Sequence, residues 1–250
     1  IPRLNRDIVI TEKIDGTNAQ IFIELWPSTG LSAPGAGERD EEGALCVFVN
    51  DELPAYRVMA GSRNRWITPE KDNFGFARWV YANAEQLVKL LGEGRHYGEW
   101  WGSSIQRTYG LTGKRFSLFN VHKWGAKDYY LDPRCVRPAV PHGPEAEVEH
   151  KFHNGQKMCA CTEGQDAVLS EVGGVLIQPV PKLYEGPWFI ETIGGLTWAP
   201  TAALGRLKSD GSGAAPGFLK PEWIGVFHTA GSVLFKVTLE NDEKPKGSTE

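Results

Sequence analysis

The chain of 250 residues predicts an α+β fold with two antiparallel β-sheets and flanking helices. Three observations lead to this expectation. Short apolar or alternating segments of strand length recur along the chain. A strong helical period is found in the segment from Trp79 to Leu91. The strand-like segments do not alternate regularly with helical ones, which argues against a parallel α/β sheet.

The first elements predict a strand, a tight loop and a second strand. Ile8–Ile10 is an apolar run, and residues 13–16 end in Asp-Gly, a pair that favours a turn. Between Ala19 and Leu25, apolar residues alternate with Gln20, Phe22 and Glu24, as in a half-buried strand. Lys13 is therefore expected at a junction between strand and loop.

The middle of the chain predicts two more strands and then the best helix. Leu45–Val49 and Tyr56–Gly61 have strand character. Apolar residues then recur at helical spacing from Trp79 to Leu91, and glycines at 92 and 94 end the run.

The second half again favours strands, with less helix. A weaker helix is expected over Asp166–Val172, and residues 190–209 are expected to be partly helical. Residues 132–165 are polar and rich in Pro and Gly, which predicts an excursion on the surface. Since no stretch resembles an interdomain linker, residues 1–250 are expected to form one domain. The expected strands are His96–Trp101, Arg115–Val121, Val175–Val180, Ile224–His228 and Val233–Leu239.

The amino-acid composition and the net charge exclude several classes of protein. A hydrophobic content of 41% is enough for a sizeable core, and no apolar run is long enough to span a membrane. Four cysteines do not suggest a disulfide framework, and we see no signal peptide, so a cytoplasmic location is expected. The net charge of −4 argues against a protein that coats nucleic acid, but it allows an enzyme with a local basic channel.

The most informative string is Thr11-Glu12-Lys13-Ile14-Asp15-Gly16-Thr17-Asn18. A lysine amine can attack the α-phosphorus of a nucleoside triphosphate and form a phosphoramidate, provided that it is deprotonated and near cations that neutralise the phosphates. A Lys-x-Asp-Gly string alone is equally typical of a hairpin turn with a surface lysine.

Five further segments follow in a fixed order. They are Gly61-Ser62-Arg63-Asn64-Arg65, Tyr97-Gly98-Glu99-Trp100-Trp101-Gly102, Phe116-Ser117-Leu118-Phe119-Asn120-Val121, Pro221-Glu222-Trp223-Ile224-Gly225-Val226 and Leu234-Phe235-Lys236-Val237-Thr238-Leu239. Together with the lysine string, this order resembles the successive motifs of the covalent nucleotidyltransferases. The closest likeness is to small ATP-dependent RNA ligases of phage and bacterial type, and it implies the ligase adenylyltransferase fold, in which two sheets form a nucleotide-binding cleft.

The resemblance implies a role for the charged residues at the reacting phosphate. Lys13 would be the nucleophile, and Lys236 would be the second cation that favours its neutral amine and contacts the α-phosphate. Asp15 would orient Lys13 or hold a metal-bound water, and Glu222 would bind Mg²⁺ or Mn²⁺ or its waters. Asp15 is also the ordinary first residue of an Asp-Gly turn.

The resemblance also implies a site for ATP. Glu12 and the backbone around it would meet the adenine edge, Phe119 would stack on the purine, and Gly16 and Asn18 would complete the site. Arg63 would bind ribose or phosphate, and Glu99 would accept a hydrogen bond from a ribose hydroxyl. For Glu99 and Glu222, a salt bridge is the alternative.

Two departures and one further cluster qualify this interpretation. Trp223 stands where the family usually has glycine, and Thr238 stands where it commonly has a second lysine. Two alternatives stay open for that second charge: Lys244 or Lys246 supplies it, or it is absent. His150, His153, Cys159 and Cys161 could hold zinc, but their spacing is not that of a zinc knuckle, so solvated loop residues are the expectation.

The expected activity is RNA end joining, with RNA bearing 5′-phosphate and 3′-hydroxyl ends as substrate and DNA less favoured. The short segments before Lys13 and after Lys236 predict a minimal adenylation domain with no appended OB-fold. Two alternatives stay open. One is an adenylyltransferase that acts on DNA ends or another phosphate acceptor, and the other is a nucleotide-binding module that does not ligate.

Overall fold

The computed structural model of the chain describes residues 7–26, 34–50, 52–124, 152–153, 156–157, 170–192, 195–210, 213–215, 217–221, 223–229 and 231–237. The chain divides into two compact units. Unit 1 draws on Ile1–Ile14, Val121–Ala167 and Val180–Glu250, and unit 2 on Asp15–Asn120 and Val168–Pro179. The single domain expected over residues 1–250 stays a prediction.

The described elements are mostly strands. The strands are β1 (Ile8–Lys13), β2 (Thr17–Leu25), β3 (Leu45–Val49), β4 (Glu52–Gly61), β5 (Trp66–Ile67), β6 (Gly94–Gly102), β7 (Lys114–Leu118), β8 (Phe152–His153), β9 (Gln156–Lys157), β10 (Ser170–Val172), β11 (Val175–Pro179), β12 (Lys182–Gly186), β13 (Phe189–Thr192), β14 (Gly195–Trp198), β15 (Trp223–His228) and β16 (Val233–Val237). The helices are α1 (Phe76–Ala82), α2 (Ala84–Leu91), α3 (Val121–Trp124) and α4 (Ala199–Asp210), with a 3₁₀ turn at Pro69–Lys71. The mixed α+β class is confirmed.

Unit 1 is centred on an antiparallel sheet with the strand order β12-β1-β15-β16. Ile8 and Ile10 of β1 lie on the same face as Ile224 and Val226 of β15, and all four are fully buried. Helix α4 covers this face with Ala203, Leu204 and Leu207. Each of the larger side chains stabilises the packing by about 1.5–3 kcal/mol relative to full exposure. The opposite face of β1 begins with the buried Val9 and ends with the exposed Lys13.

Unit 2 is centred on a larger sheet, whose described strands run in the order β10-β11-β7-β6-β2-β4-β3, with β5 paired to β4. One face carries Ile21 and Ile23 of β2, both fully buried. On the same side, Trp79 of α1 stacks on Trp100 of β6 with ring centroids 5.2 Å apart. Helices α1 and α2 therefore cover one face of this sheet.

The expectation that both sheets are antiparallel is wrong for one pair of strands. β7 and β11 run parallel, with Phe116 opposite Ile177. More than fifty residues separate these strands along the chain. A parallel pair requires a crossover connection of a dozen or more residues, and the segment between Leu118 and Val175 supplies one.

The helix expected from Trp79 to Leu91 is two helices, which corrects the prediction. Asn83 leaves helical geometry at φ −122° and ψ 20°. Its side-chain Nδ2 donates to the carbonyl of Trp79 at 2.8 Å. In this way the asparagine side chain competes with the backbone hydrogen bonds of the helix. Helix α1 therefore ends, and α2 begins, at Asn83.

The weaker helix expected over Asp166–Val172 is also corrected in its described part, since Ser170–Val172 is strand β10. Gly173 and Gly174, at φ 56° and 74°, form the two-residue turn to β11. Positive φ at both central residues is the geometry of a type I′ hairpin turn. Val172-Gly-Gly-Val175 therefore favours a hairpin over a helix.

The remaining predictions of strands and helix are confirmed where residues are described, whereas the surface excursion expected over residues 132–165 lies almost wholly outside the described residues. The first strand, the strands over 19–25, 45–49 and 56–61, and those near 96, 115, 175, 224 and 233 are all present, and α4 provides the helix expected within residues 190–209. Val121 is the exception, because it begins α3 rather than ending a strand. Phe119 N–H donates to the Tyr97 carbonyl, after which the chain leaves the sheet. None of the helices in the described ranges is long and apolar enough to cross a membrane.

Candidate active site

The end of β1 places two charged residues on opposite faces of the unit 1 sheet. Ile8, Ile10 and Glu12 alternate onto the buried face, because side chains along a strand point to opposite sides in turn. Lys13 follows on the other face and is exposed. The expected position of Lys13, at a junction between strand and loop, is confirmed.

Strand pairing brings Lys236 to the face that carries Lys13. Lys13 lies opposite Trp223, and Lys236 lies opposite Gly225, two residues further along β15. The Nζ of Lys236 sits over the ring of Trp223, 2.7 Å from its centroid. The backbones of β1 and β16 flank β15 and are therefore about 10 Å apart, a span over which two long lysine side chains can approach one phosphate group.

Trp223 consequently supports a cation on this face. Lys236 shares this face with Lys13, and the role expected of it, as the second cation beside the nucleophile, stays a prediction. The ring of Trp223 gives the ammonium of Lys236 an attractive surface. The family that this chain resembles usually has glycine at this position. Here Trp223 supplies an aromatic ring that contacts the ammonium group of Lys236.

Glu12 is held in the buried face by the loop at residues 213–215. Its Oε2 accepts a hydrogen bond from Ala214 N–H at 2.6 Å. Burial raises the pKa of Glu12 to about 7, and the Ala214 hydrogen bond partly offsets the rise. A Cβ at Gly213 would lie 2.6 Å from Oε2, so a side chain there would have to displace the Glu12 carboxylate. The adenine contact expected of Glu12 stays a prediction.

Asp15, the first residue of unit 2, is held by the loop that follows β6. Asp15 N–H donates to Tyr109 Oη at 2.6 Å. Arg107 Nε donates to Asp15 Oδ2 at 3.2 Å. Asp15 is therefore fixed through both its backbone and its side chain, and the metal role expected of it stays a prediction.

Glu99 holds the next residue of the same turn. Its Oε1 accepts a hydrogen bond from Gly16 N–H at 3.1 Å, and its side chain is buried. Asn18 of β2 lies directly opposite Glu99 of β6 in the ladder. A Cβ on Gly16 would lie 2.5 Å from the Trp100 carbonyl oxygen, so the turn requires glycine here. The structure therefore brings Gly16, Asn18 and Glu99 together, and their part in binding ATP stays a prediction.

The loop from Ser104 to Gly110 adopts a backbone that ordinary residues rarely take. Four non-glycine residues have positive φ: Ser104 at 62°, Gln106 at 44°, Thr108 at 55° and Tyr109 at 53°. Each costs on the order of 1 kcal/mol or more. Burial of Tyr109, whose ring meets Trp101 edge-on at 4.9 Å, offsets part of this cost. The result is a loop that places Tyr109 Oη on the Asp15 backbone.

Phe119 and Arg63 are exposed at the ends of strands in unit 2. Phe119 follows β7 and is 41% exposed, an unusual value for a phenylalanine beside a buried strand. Arg63 lies in the turn between β4 and β5, which Gln20 braces by donating from Nε2 to the Ser62 carbonyl at 2.7 Å. Both side chains are therefore accessible to a ligand, and their roles stay predictions.

Several expected site residues lie outside the described residues. They are Glu222, Thr238, Lys244, Lys246, His150, Cys159 and Cys161, and for His153 the backbone alone is described. Among the described side chains, no three His, Cys, Asp or Glu residues come together as a metal site. The metal roles of Asp15 and Glu222 and the zinc alternative thus stay untested.

Sequence reasoning missed Tyr109, Arg107 and Ala214, which hold the turn and the strand around Lys13. These contacts join residues far apart in the chain, 94 positions for Asp15 and Tyr109 and 202 for Glu12 and Ala214. The one local signal was Thr108-Tyr109-Gly110, a short polar and glycine-containing turn close after the Glu99 segment.

A comparison with protein-family models gave a match to RNA ligase over residues 6–198, more than half of the chain. The matched span includes Lys13, Arg63, Glu99 and Phe119, and it ends before β15 and β16. No curated protein and no solved structure gave a match.

Proposed function

The chain belongs to the RNA ligase family, and on that basis we propose that it is an ATP-dependent RNA ligase that works through an adenylylated Lys13. The observation that carries the proposal is the position of Lys13. It stands exposed at the end of β1, directly before the Asp15-Gly16 turn, on the sheet face that it shares with Lys236.

In the first step, the neutral Nζ of Lys13 attacks the α-phosphorus of ATP. A P–N bond forms, the bond from the α-phosphorus to the bridging oxygen breaks, and pyrophosphate leaves with the electron pair. As the P–N bond forms, the nitrogen loses one of its N–H protons to solvent. Lys236, on the same sheet face as Lys13, is the cation proposed to contact the α-phosphate beside it.

The nucleotide is held by the residues assigned to it from the sequence. Phe119 stacks on adenine, an interaction worth about 1–3 kcal/mol for a base on an aromatic ring. Glu99 accepts a hydrogen bond from a ribose hydroxyl, and Arg63 binds ribose or phosphate with its planar donor groups. The exposure of Phe119 and Arg63 supports these roles.

A divalent cation, Mg²⁺ or Mn²⁺, would neutralise the phosphates and stabilise the charge that develops on them. Carboxylate oxygens are suitable ligands for such ions. Asp15 fits as a holder of a metal-bound water, because one carboxylate oxygen is engaged by Arg107 and the other is outside that hydrogen bond. Glu222 is the second carboxylate proposed for this role.

The two later steps transfer the adenylate and seal the strand. A 5′-phosphate oxygen of RNA attacks the phosphorus held by Lys13, the P–N bond breaks, and a 5′–5′ pyrophosphate linkage forms. A 3′-hydroxyl oxygen then attacks the RNA phosphorus, a phosphodiester bond forms, and AMP leaves. Positioning and charge neutralisation supply most of the catalysis in such reactions.

The first test measures covalent labelling. The protein is incubated with α-labelled ATP and Mg²⁺ or Mn²⁺, denatured and separated, and label is expected on the chain. Lys13→Ala should abolish the label, because no other amine takes its place. Lys208→Ala, which removes an exposed lysine from α4 of the same unit, is the matched control and should label fully.

The outcomes separate the possible functions. Label that survives Lys13→Ala would rule out Lys13 as the nucleophile. A parent protein that takes no label with either metal would instead favour a nucleotide-binding module. If label forms, sealing of nicked RNA against nicked DNA distinguishes an RNA ligase from an adenylyltransferase with another acceptor.

A further inference from the structure

A second cluster of aromatic and basic residues lies in unit 2, on the face of the sheet opposite α1 and α2. Pairing of β2 with β6 places Phe22 opposite Arg95 and Gln20 opposite Tyr97. Ile21 and Ile23 alternate with Gln20 and Phe22 and are buried on the helix side. The four residues in these two pairs therefore share the face that the helices leave uncovered.

Trp66 of β5 joins this cluster because Gly61 has no side chain. Gly61 of β4 pairs with both Gln20 and Trp66. A Cβ at Gly61 would lie 2.8 Å from the Gln20 side chain and 2.9 Å from the Trp66 ring. The glycine thus lets the indole of Trp66 lie down over the sheet, next to Phe22, with ring centroids 5.9 Å apart.

Arg95 is held against both rings. Its guanidinium carbon is 5.0 Å from the centroid of Phe22 and 5.1 Å from that of Trp66. Its Nη1 lies 3.5 Å from Tyr97 Oη. A planar guanidinium stacks well on aromatic faces, so Arg95 is arranged as part of the surface.

The cluster is accessible and basic. Tyr97 is 51% exposed and Trp66 39% exposed, and Arg95 is exposed as well. Arg65, directly before Trp66, adds a second exposed positive charge. On the same face, Glu24 is paired with Arg57 at 2.8 Å. Aromatic faces accompanied by arginine complement a chain of bases and phosphates.

The cluster is continuous with the proposed nucleotide site. Tyr97 and Glu99 are separated by one residue on β6 and lie on the same face, about 7 Å apart along the strand. Asn18 is the neighbour of Glu99 and lies two residues from Gln20 on β2. A polynucleotide end brought to Glu99 would therefore extend over Tyr97, Arg95 and Trp66.

We propose that Phe22, Trp66, Arg95 and Tyr97 form an aromatic–arginine platform that binds unpaired nucleotides next to the RNA end being joined. The proposal rests on the proposed function for the identity of the end, but the platform itself is defined by contacts within unit 2. Unpaired bases are the expected ligand because they expose both faces for stacking, whereas bases in a duplex are already stacked.

The test measures binding of a fluorescent single-stranded 5′-phosphorylated oligoribonucleotide by anisotropy, without ATP. Trp66→Ala and Tyr97→Ala should each weaken binding between about 5-fold and 150-fold, the range expected from the loss of one stacked base. Arg95→Ala should also weaken binding, and Arg95→Lys should restore it in part, since lysine keeps the charge but loses the planar stack.

The matched controls remove similar groups from the other side of unit 2. Phe74→Ala deletes a 50% exposed aromatic ring just before α1, and Arg78→Ala deletes an exposed arginine of α1. Both should bind the oligonucleotide like the parent. Blunt duplex RNA should bind more weakly than single strands and should be insensitive to Trp66→Ala.

The outcomes also distinguish this inference from the proposed function. Loss of binding in Trp66→Ala and Arg95→Ala, with Lys13 labelling intact, supports the platform. Parent-like RNA binding in Trp66→Ala, Tyr97→Ala and Arg95→Ala overturns it, even if Lys13 is labelled. If the parent protein takes up no label from ATP but binds RNA through the platform, the proposed function is overturned and the platform is retained. Binding of single-stranded DNA as tight as that of RNA would overturn RNA as the specific ligand.

Discussion

Glu12 links the stability of the protein to pH at the scale of one residue. Its pKa is raised from 4.5 to about 7 because the carboxyl is buried. Between these values the folded state binds more protons than the unfolded state, so stability falls as pH rises from about 4.5 to about 7 and is constant above. The shift corresponds to about 3 kcal/mol.

Glu12→Gln should remove this dependence, since glutamine keeps the shape and the acceptor for Ala214 N–H but does not ionise. Urea unfolding at pH 5 and pH 8 measures the effect as the difference in free energy of unfolding. The control is Glu185→Gln, which changes an exposed carboxyl of the same unit. Its free energy of unfolding should depend on pH in the same way as that of the parent protein. A parent protein equally stable at both pH values would contradict the assignment.

Local strings in the sequence were enough to locate Lys13 and the residues that turn the chain after it. Lys13, Asp15 and Gly16 are consecutive or nearly so, and strand alternation followed by Asp-Gly is a short-range signal. The groups that hold this turn were not foreseeable. Tyr109 and Arg107 reach Asp15 only because β6 pairs with β2, and the loop after β6 folds back through a strained backbone.

At the scale of elements, the β10–β11 hairpin depends on its glycines, and they make a matched pair for a test. Both Gly173 and Gly174 have positive φ, so alanine at either position costs about 1–2 kcal/mol. A Cβ on Gly173 would also press on the side-chain amide of Asn83, whereas a Cβ on Gly174 meets nothing within 4 Å. Gly173→Ala should therefore destabilise the protein more than Gly174→Ala.

The extra cost has a structural source. Asn83 donates to the Trp79 carbonyl between α1 and α2, and moving its amide away would break that hydrogen bond, which is worth about 1 kcal/mol. Chemical denaturation of the two variants and the parent measures the difference. An equal loss of stability in both variants would show that displacing the side-chain amide of Asn83 costs no free energy of unfolding.

Asn83 also shows why the helices were predicted less well than the strands. The apolar spacing from Trp79 to Leu91 continues across the break, because α1 and α2 bury the same side against the sheet. Periodicity therefore gave the buried face correctly and missed the capping by Asn83. The parallel pairing of β7 and β11 was missed for a different reason, since strand direction depends on a connection that local patterns do not describe.

For the whole molecule, a net charge of −4 means that affinity for RNA must come from a few local cations. Such contacts make the affinity depend on salt, because each phosphate neutralised by a lysine or arginine releases counterions. For a single strand, the logarithm of the affinity falls with the logarithm of the salt concentration, with a slope of about −0.7 per contact. Two exposed arginines are available for such contacts, Arg95 of the platform and Arg65, which directly precedes Trp66.

Binding of the single-stranded oligoribonucleotide should therefore have a salt slope of about −1.4, which is a loss of about 7-fold between 50 and 200 mM salt. Arg95→Ala should bring the slope to about −0.7, while Trp66→Ala should weaken binding and leave the slope unchanged, because stacking releases no counterions. Anisotropy titrations at four salt concentrations measure these slopes. A parent slope of about −3 or steeper would require more phosphate contacts than the two arginines provide, and the RNA would then have to be held mainly by another basic surface of the chain.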